Sequence, residues 1–346
     1  MKGSRYLSLL LAVVLTLPLM GCGPAKVNRY TGYFLDTFDT VVSAIIYTDG
    51  QASFDKAFRI IKDEFTRYHR LFDIYHPYEG IQNLYTINKN AASGPVRADP
   101  CILALLSQSV FWHDTVSSAV NIAMGTVLSV WKETILTGIL PDEALLTEAA
   151  AHTDIRNLIL DDGQATVYFA DPYMQLDVGA VAKGYAAEQA ALALEKAGYT
   201  SFLINAGGNI RAGGPPGDGR PDWGVGLQDP FVEGPFTDTY IATLLVNRLS
   251  VVSSGDYQRY TEIDGVRYHH IIDEDTSKPA VYYTSVTVVT KDSGFADFLS
   301  TAVFILPFDK SRELVQSLEG VEALWVFHDG QIEMTEGLAA LLKDDG

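Results

Sequence analysis

Two β-forming runs, TEI and VRYHHII, flank Asp264-Gly265, and this stretch constrains the fold more than any other in the chain. An Asp-Gly pair between such runs signals a two-residue hairpin turn whose central residues both take positive φ. A hairpin makes its strands antiparallel, which argues against a purely parallel sheet wound with crossover helices. Further alternating or β-branched runs at 40–47, 201–205, 223–228, 241–246 and 285–290 read as strands. Helical periodicity is as clear. Phe54, Ala57, Phe58, Ile61, Phe65, Tyr68 and Phe72 form the stripe of an amphipathic helix. Helices are also expected over 183–196, stopping at Gly198 where a left-handed C-cap is accessible, over 293–304 and over 310–318. The alternation predicts one α+β unit of mixed, largely antiparallel sheets flanked by helices, without internal repeats.

The first residues carry a different signal. Lys2 and Arg5 precede an apolar run from Leu7 to Leu19, then Met20-Gly21-Cys22. That is the layout of a secretory signal, too short for a stable membrane span. It resembles a bacterial lipoprotein signal ending in a lipobox, with Met20 bulkier than the residue usual there. Residues 1–21 would be removed, Cys22 would carry the lipid, and 22–32 would link the anchor to a domain at 33–346. The other reading is an ordinary cleaved signal in which Cys22 is incidental. Lipidation leaves Cys101 as the only other thiol, so no intramolecular disulfide could brace the exported domain. With 47% hydrophobic residues, a core suffices. Cys101 heads the apolar stretch CILALL and reads as a buried small residue. The net charge of −18, more negative once Lys2 and Arg5 are lost, makes nucleic acid an unsuitable partner.

Four stretches are unusual for a plain core. LDVGAVAKGYA (176–186) sets an acid, two glycines and a lysine between a strand and a helix. Such a junction lets backbone approach an anion, and equally serves the geometry of a tight turn. LINAGGNIRAGG (203–214) is glycine-rich but lacks the spacing of a dinucleotide fingerprint or a phosphate loop; it suits a backbone-lined ligand surface or a tight strand exit. VVSSGDYQRYTEIDGVRYHHIID (251–273) supplies hydroxyls and two adjacent histidines, which on a strand point to opposite faces. They cannot chelate one metal as an i, i+4 helical pair does, and no other zinc motif accompanies them. In SGFADFLSTAVF (293–304), Asp297, Ser300 and Thr301 share one helix face. A carboxylate with hydroxyls suits Mg²⁺, while an acid near a helix N-terminus and a back-bonded threonine would need no metal.

Taken in order, and joined by FDTVVSAIIY (38–47), LFDIYHPYEGIQNLYTIN (71–88) and SAVNIAMGTVLSVW (118–131), these stretches resemble the ApbE family of FAD:protein FMN transferases. The resemblance covers nearly the whole mature chain. It implies a T-fold-like α+β architecture, Mg²⁺ dependence and an FAD site. The metal ligands would be the backbone carbonyl of Ala180 and the side chains of Asp297 and Thr301, with Ser300 beside them. FAD contacts would come from Phe38, Tyr75, Ala119, Val120, Asn121, Asp177, Lys183 and Ile272, with His270 near the diphosphate and Gly207-Gly208 lining the same cavity. The chain departs from the family at Asn121 and Asn209, where many members have Asp, and at Phe38-Asp39-Thr40, where many have Met-Gly-Thr.

The resemblance further implies the chemistry. A Thr or Ser hydroxyl of an exported or membrane acceptor protein would attack the FAD phosphate on the riboflavin side and expel AMP. His270 or a nearby acid would take the proton, since an unperturbed imidazole titrates near neutrality. The enzyme would sit lipid-anchored on the extracytoplasmic side of the cell membrane. Two alternatives are an FAD diphosphatase, with water in place of the acceptor hydroxyl, and a non-catalytic flavin-binding lipoprotein.

Overall fold

In a computed structural model the described residues are 27–232 and 239–343. The signal segment 1–21 and Cys22 lie outside them. Eight strands form the main sheet: β1 Asn28–Thr37, β2 Thr40–Thr48, β3 Phe202–Ala206, β4 Asn209–Ala212, β5 Ser250–Gly255, β6 Ser285–Thr290, β7 Glu322–Val326 and β8 Ile332–Met334. Their order in space is their order in the chain, and every neighbouring pair is antiparallel. The sheet is a meander into which everything else is inserted.

Both faces of the sheet are covered, and β6 is buried along its whole length. On one face the helices Gln51–Phe72, Ala182–Lys196 and Ser293–Ile305 enclose the larger core, where Val42, Ile204, Val286 and Val288 meet Ile61, Phe65, Leu194, Phe298 and Val303. On the other, the hairpin Trp223–Gln228 and Tyr240–Val246 presents Trp223, Val225, Leu244 and Val246 to Val251, Val289, Leu324 and Val326. The period-two alternation of side chains assigns neighbours such as Val288 and Val289 to opposite cores.

Local chemistry explains the elements. The first helix buries the expected stripe from Phe54 to Phe72. The helix Ala182–Lys196 ends as expected, with Gly198 at φ 90 and the Tyr199 N–H returning to the Leu194 carbonyl. Asp292 caps Ser293–Ile305 by accepting the Phe295 N–H at 2.7 Å. In the hairpin Tyr260–Ile263 and Val266–His269, Asp264 and Gly265 have φ 52 and 77, as a primed turn demands.

The structure also departs from the sequence reading. β1 starts at Asn28, so residues 28–32, read as linker, belong to the sheet and pair with β2. The segment between β2 and β3 holds further helices, Leu84–Asn90, Pro100–Thr115, Gly125–Thr137 and Glu143–Ala150. It also carries a small three-stranded sheet. Cys101 is only half-buried, with its Sγ accepting from Arg67 Nη2 at 3.2 Å.

Candidate active site

A cleft of about 2350 Å³ opens along the sheet ends where β2 begins, β3 turns into β4 and β5 ends. It is walled by 119–124, 177–183, the hairpin 260–270 and the helix Ser293–Ile305. Pockets for drug-sized ligands occupy roughly 300–1,000 Å³, so this one has room for a dinucleotide and for part of a second molecule.

At its floor stands Asp297, with a side chain 5% exposed. Its Oδ2 accepts the Gly184 N–H at 2.8 Å, and Lys183 Nζ lies 3.6 Å from Oδ1. Burial pushes the Asp297 carboxyl above the ordinary range, opposed by Lys183, the Gly184 N–H and the Asn209 side chain. The result is a buried acid short of positive charge, an environment that a bound cation would relieve. Thr301 lines the cleft four residues on, its hydroxyl donating to the Asp297 carbonyl at 3.3 Å and so presenting its lone pairs outward. Ala180 borders the same space. Ser300 does not. It is fully buried, its hydroxyl engaged with Ser254 Oγ at 2.9 Å and with the Asp297 carbonyl, because the helix turns it onto β5. Among the described residues no three His, Cys, Asp or Glu side chains gather as a metal cluster. A cation here would have one carboxylate with hydroxyl and carbonyl oxygens, the hard donors that Mg²⁺ takes.

The flanking residues divide into free and occupied groups. Asp177 is pushed up by burial, against the Gly179 N–H and the charges of Lys132 and Arg259. Tyr75, half exposed, has Lys132 Nζ 3.2 Å from its ring centroid, and burial with the Asp177 charge raises its phenol to about 12. Phe38 sits in the β1–β2 turn at φ 53, followed by Asp39 at 51, with its ring edge-on to His69. A bulky residue at positive φ is strained. Asn121 lines the cleft, yet its amide is spent inside the protein: Nδ2 donates to the Thr153 carbonyl and to Glu274 Oε1, both at 2.8 Å, and Oδ1 accepts from the Ala123 N–H. Ala119 and Val120 border the cleft beside it, and Ile272 packs against Met124, Val127 and Trp131.

The two histidines separate as their alternation requires. His269 is buried, with Nε2 donating to the Ala280 carbonyl at 2.8 Å and its ring against Phe304. His270 lies just past the strand on the cleft wall, where Nδ1 donates to the Arg259 carbonyl at 3.2 Å. That bond fixes the neutral tautomer and leaves the Nε2 lone pair. Burial, then the Arg259 charge, pulls the imidazole down to about 3, so the expected near-neutral titration is not found.

Sequence reasoning did not foresee two groupings. Asp73 accepts from the backbone N–H groups of Tyr75 and His76 and from the Tyr78 hydroxyl, bonds that outweigh burial and hold its carboxyl below the ordinary range. It thereby fixes the backbone that presents Tyr75. Asn209, noted in the sequence only as an amide in place of an acid, is 1% exposed beside Asp297, and no pattern along the chain announces that proximity.

Comparison with known proteins follows this geometry. The ApbE family model matches residues 38–325. The chain is similar to an FAD:protein FMN transferase of Treponema pallidum, 37% identical over 268 residues that span 74% of this chain and 73% of that protein. It is also similar to one from Klebsiella pneumoniae, 30% identical over 300 residues, spanning 86% and 90% respectively. Among solved structures, an ApbE protein of Thermotoga maritima superposes with a TM-score of 0.81 at 28% identity, over 92% of this chain and 100% of that one. The flavin transferase ApbE of Vibrio cholerae gives 0.76 at 21% identity over 92% and 100%, a likeness of fold.

Proposed function

The chain belongs to the ApbE family, and from that premise we propose that it is a Mg²⁺-dependent FAD:protein FMN transferase. It splits the FAD diphosphate, links FMN through its phosphate to a Thr or Ser hydroxyl of an exported or membrane acceptor protein, and releases AMP. One observation carries the reading. Asp297 and Thr301, Lys183, Asp177, Tyr75 and His270, far apart in sequence, meet in one cleft larger than a dinucleotide needs.

Asp297, Thr301 and the Ala180 carbonyl would hold Mg²⁺, which supplies charge withdrawal from the diphosphate oxygens. Lys183, on the first turn of the helix Ala182–Lys196, brings a cation to the same oxygens. Phe38 and Tyr75 offer aromatic surface for the flavin. The acceptor hydroxyl enters through the open mouth, attacks the phosphorus on the riboflavin side, and breaks its bond to the AMP oxygen. His270 receives or orients the proton at Nε2. A pKa near 3 makes it a weak base in the free enzyme, and the negative charge of the bound diphosphate raises its basicity. Asn121, with its amide committed internally, shapes the wall.

We extend the proposal to location: Cys22 is lipidated after removal of 1–21, and the domain works on the extracytoplasmic side of the membrane. Substitution of Cys22 by Ala would then release the protein from the membrane fraction.

The catalytic reading is tested by Asp297→Ala. AMP formation from FAD should fall by about 10²–10³-fold at saturating Mg²⁺, the scale expected when one electrostatic stabiliser of the transition state is removed. Undiminished AMP formation would contradict the assignment.

A further inference from the structure

The hairpin Trp223–Gln228 and Tyr240–Val246 has one covered edge and one bare edge. On the covered side the Leu245 N–H donates to the Leu341 carbonyl at 2.7 Å, and the Thr243 carbonyl accepts the Lys343 N–H at 2.8 Å. Successive residues of an antiparallel strand turn their main-chain groups to alternate edges. Ala242, Leu244 and Val246 therefore face Leu227, Val225 and Trp223, while Gly224 and Gly226, opposite Leu245 and Thr243, point their N–H and C=O groups the other way. Among the described residues no strand pairs with that edge. An unpaired edge is a template for another chain, and proteins usually blunt it with charge, proline or a cover. Trp223–Gln228 carries neither charge nor proline, and Gly224 is exposed.

The sheet face beside this edge is bare as well. Tyr33 on β1 pairs with Ser43 on β2, which pairs with Asn205 on β3, so the three side chains share one face. Leu203, two residues from Asn205, packs against the hairpin core, which makes it the face that the hairpin covers further along. Tyr33 is 70% exposed, and Ser43 and Asn205 are half-buried. Ser43, Leu203, Asn205, Gly224 and Gly226 all line the cleft that reaches Asp297 and Thr301.

We propose that the acceptor protein docks here as an extended segment, pairing its main chain with Gly224 and Gly226 and laying alternate side chains over Tyr33, Ser43 and Asn205. The proposal deepens the transferase reading and rests on it. A free edge selects an extended polypeptide, because a main chain matches its alternating donors and acceptors. The edge opens into the cleft, so a segment paired there lies on the path to a phosphate held near Asp297, where its Thr or Ser side chain can enter. A second copy of this chain at the same edge would close that path.

The test compares Gly224→Pro, which deletes the outward N–H at a place where an edge strand tolerates proline, with Gly224→Ala, which keeps it. A Cβ at Gly224 meets only Thr243 Cγ2, at 3.6 Å, an ordinary contact. The probe is a purified exported protein that the wild type loads with FMN. Gly224→Pro should raise KM for that protein by about tenfold, the scale of one hydrogen bond lost with its partner left unpaired. Its kcat and its affinity for FAD, read by flavin fluorescence, should be unchanged, and Gly224→Ala should match the wild type. In the wild type, adding the acceptor should slow hydrogen exchange at the Gly224 and Gly226 amides. An unaltered KM in Gly224→Pro would overturn the proposal, as would a wild-type dimer that Gly224→Pro dissociates without changing KM. If Gly224→Pro also loses FAD affinity, the exchange decides, and amides that the acceptor does not slow overturn the proposal. Failure of any exported protein to gain FMN with the wild type would instead strike the transferase reading on which the proposal stands.

Discussion

Asp297 and His270 show how far a residue's chemistry depends on what the fold puts around it. The sequence offered Asp297, Ser300 and Thr301 as one oxygen-bearing face, and helical spacing made that legible. Which of the three meets the cleft was not, because Ser300 is claimed by Ser254 on β5, a partner 46 residues away. Burial without full compensation raises the Asp297 carboxyl. A raised carboxyl weakens the folded state at neutral pH, and that stability returns as pH falls through the folded pKa. Asp297→Asn should therefore raise the thermal stability of the metal-free protein at pH 7, by about 1 kcal/mol, while abolishing transfer; an unfolding scan without Mg²⁺ measures the first and the mass of an acceptor protein incubated with FAD and Mg²⁺ the second. For His270 the sign is reversed. The unfolded chain takes up its proton near the ordinary histidine pKa and the folded chain only near 3, so its contribution is complete above that ordinary value and is lost on acidification toward 3. His270→Gln should make the loss of thermal stability between pH 6.5 and 4 shallower. The pH profile of kcat/KM for FAD, which reports the free enzyme, should show no acid limb near 6.5 that His270→Gln removes.

Among the elements, the helix Gln51–Phe72 was readable from its stripe, and the hairpin at Asp264-Gly265 from its turn residues. The helix Pro100–Thr115 was not, since Ile102, Leu103, Leu105 and Leu106 are all buried and leave no polar side to mark a period. β1 was not among the expected strands, because Asn28–Thr37 alternates weakly and its place is set by pairing with β2. The contact between Ala182–Lys196 and Ser293–Ile305 is what brings Lys183 to Asp297, and it depends on Gly184. A Cβ there would meet the Ser293 carbonyl oxygen and come within 2.5 Å of Asp297 Cβ. Gly184→Ala should cost roughly 1–3 kcal/mol, the usual range for overpacking, and should impair Mg²⁺ activation more than FAD binding by displacing the carboxylate. Unaltered stability on denaturant unfolding would show that the two helices can part freely.

At the scale of the whole molecule, a single antiparallel meander carries long insertions, and the cleft forms where those insertions meet the sheet ends. The α+β class was legible from hairpins interleaved with helical stripes. The convergence was not, because it joins Phe38 to Thr301 through contacts that no local pattern encodes. A cleft of about 2350 Å³ leaves space beyond a dinucleotide, and transfer to a protein hydroxyl gives that space a use that hydrolysis by water would not require. The most direct test is the intact mass of a candidate acceptor protein after incubation with this chain, FAD and Mg²⁺. The account predicts a gain of one FMN on a Thr or Ser, lost with Asp297→Ala. AMP release with free FMN and an acceptor of unchanged mass would contradict it.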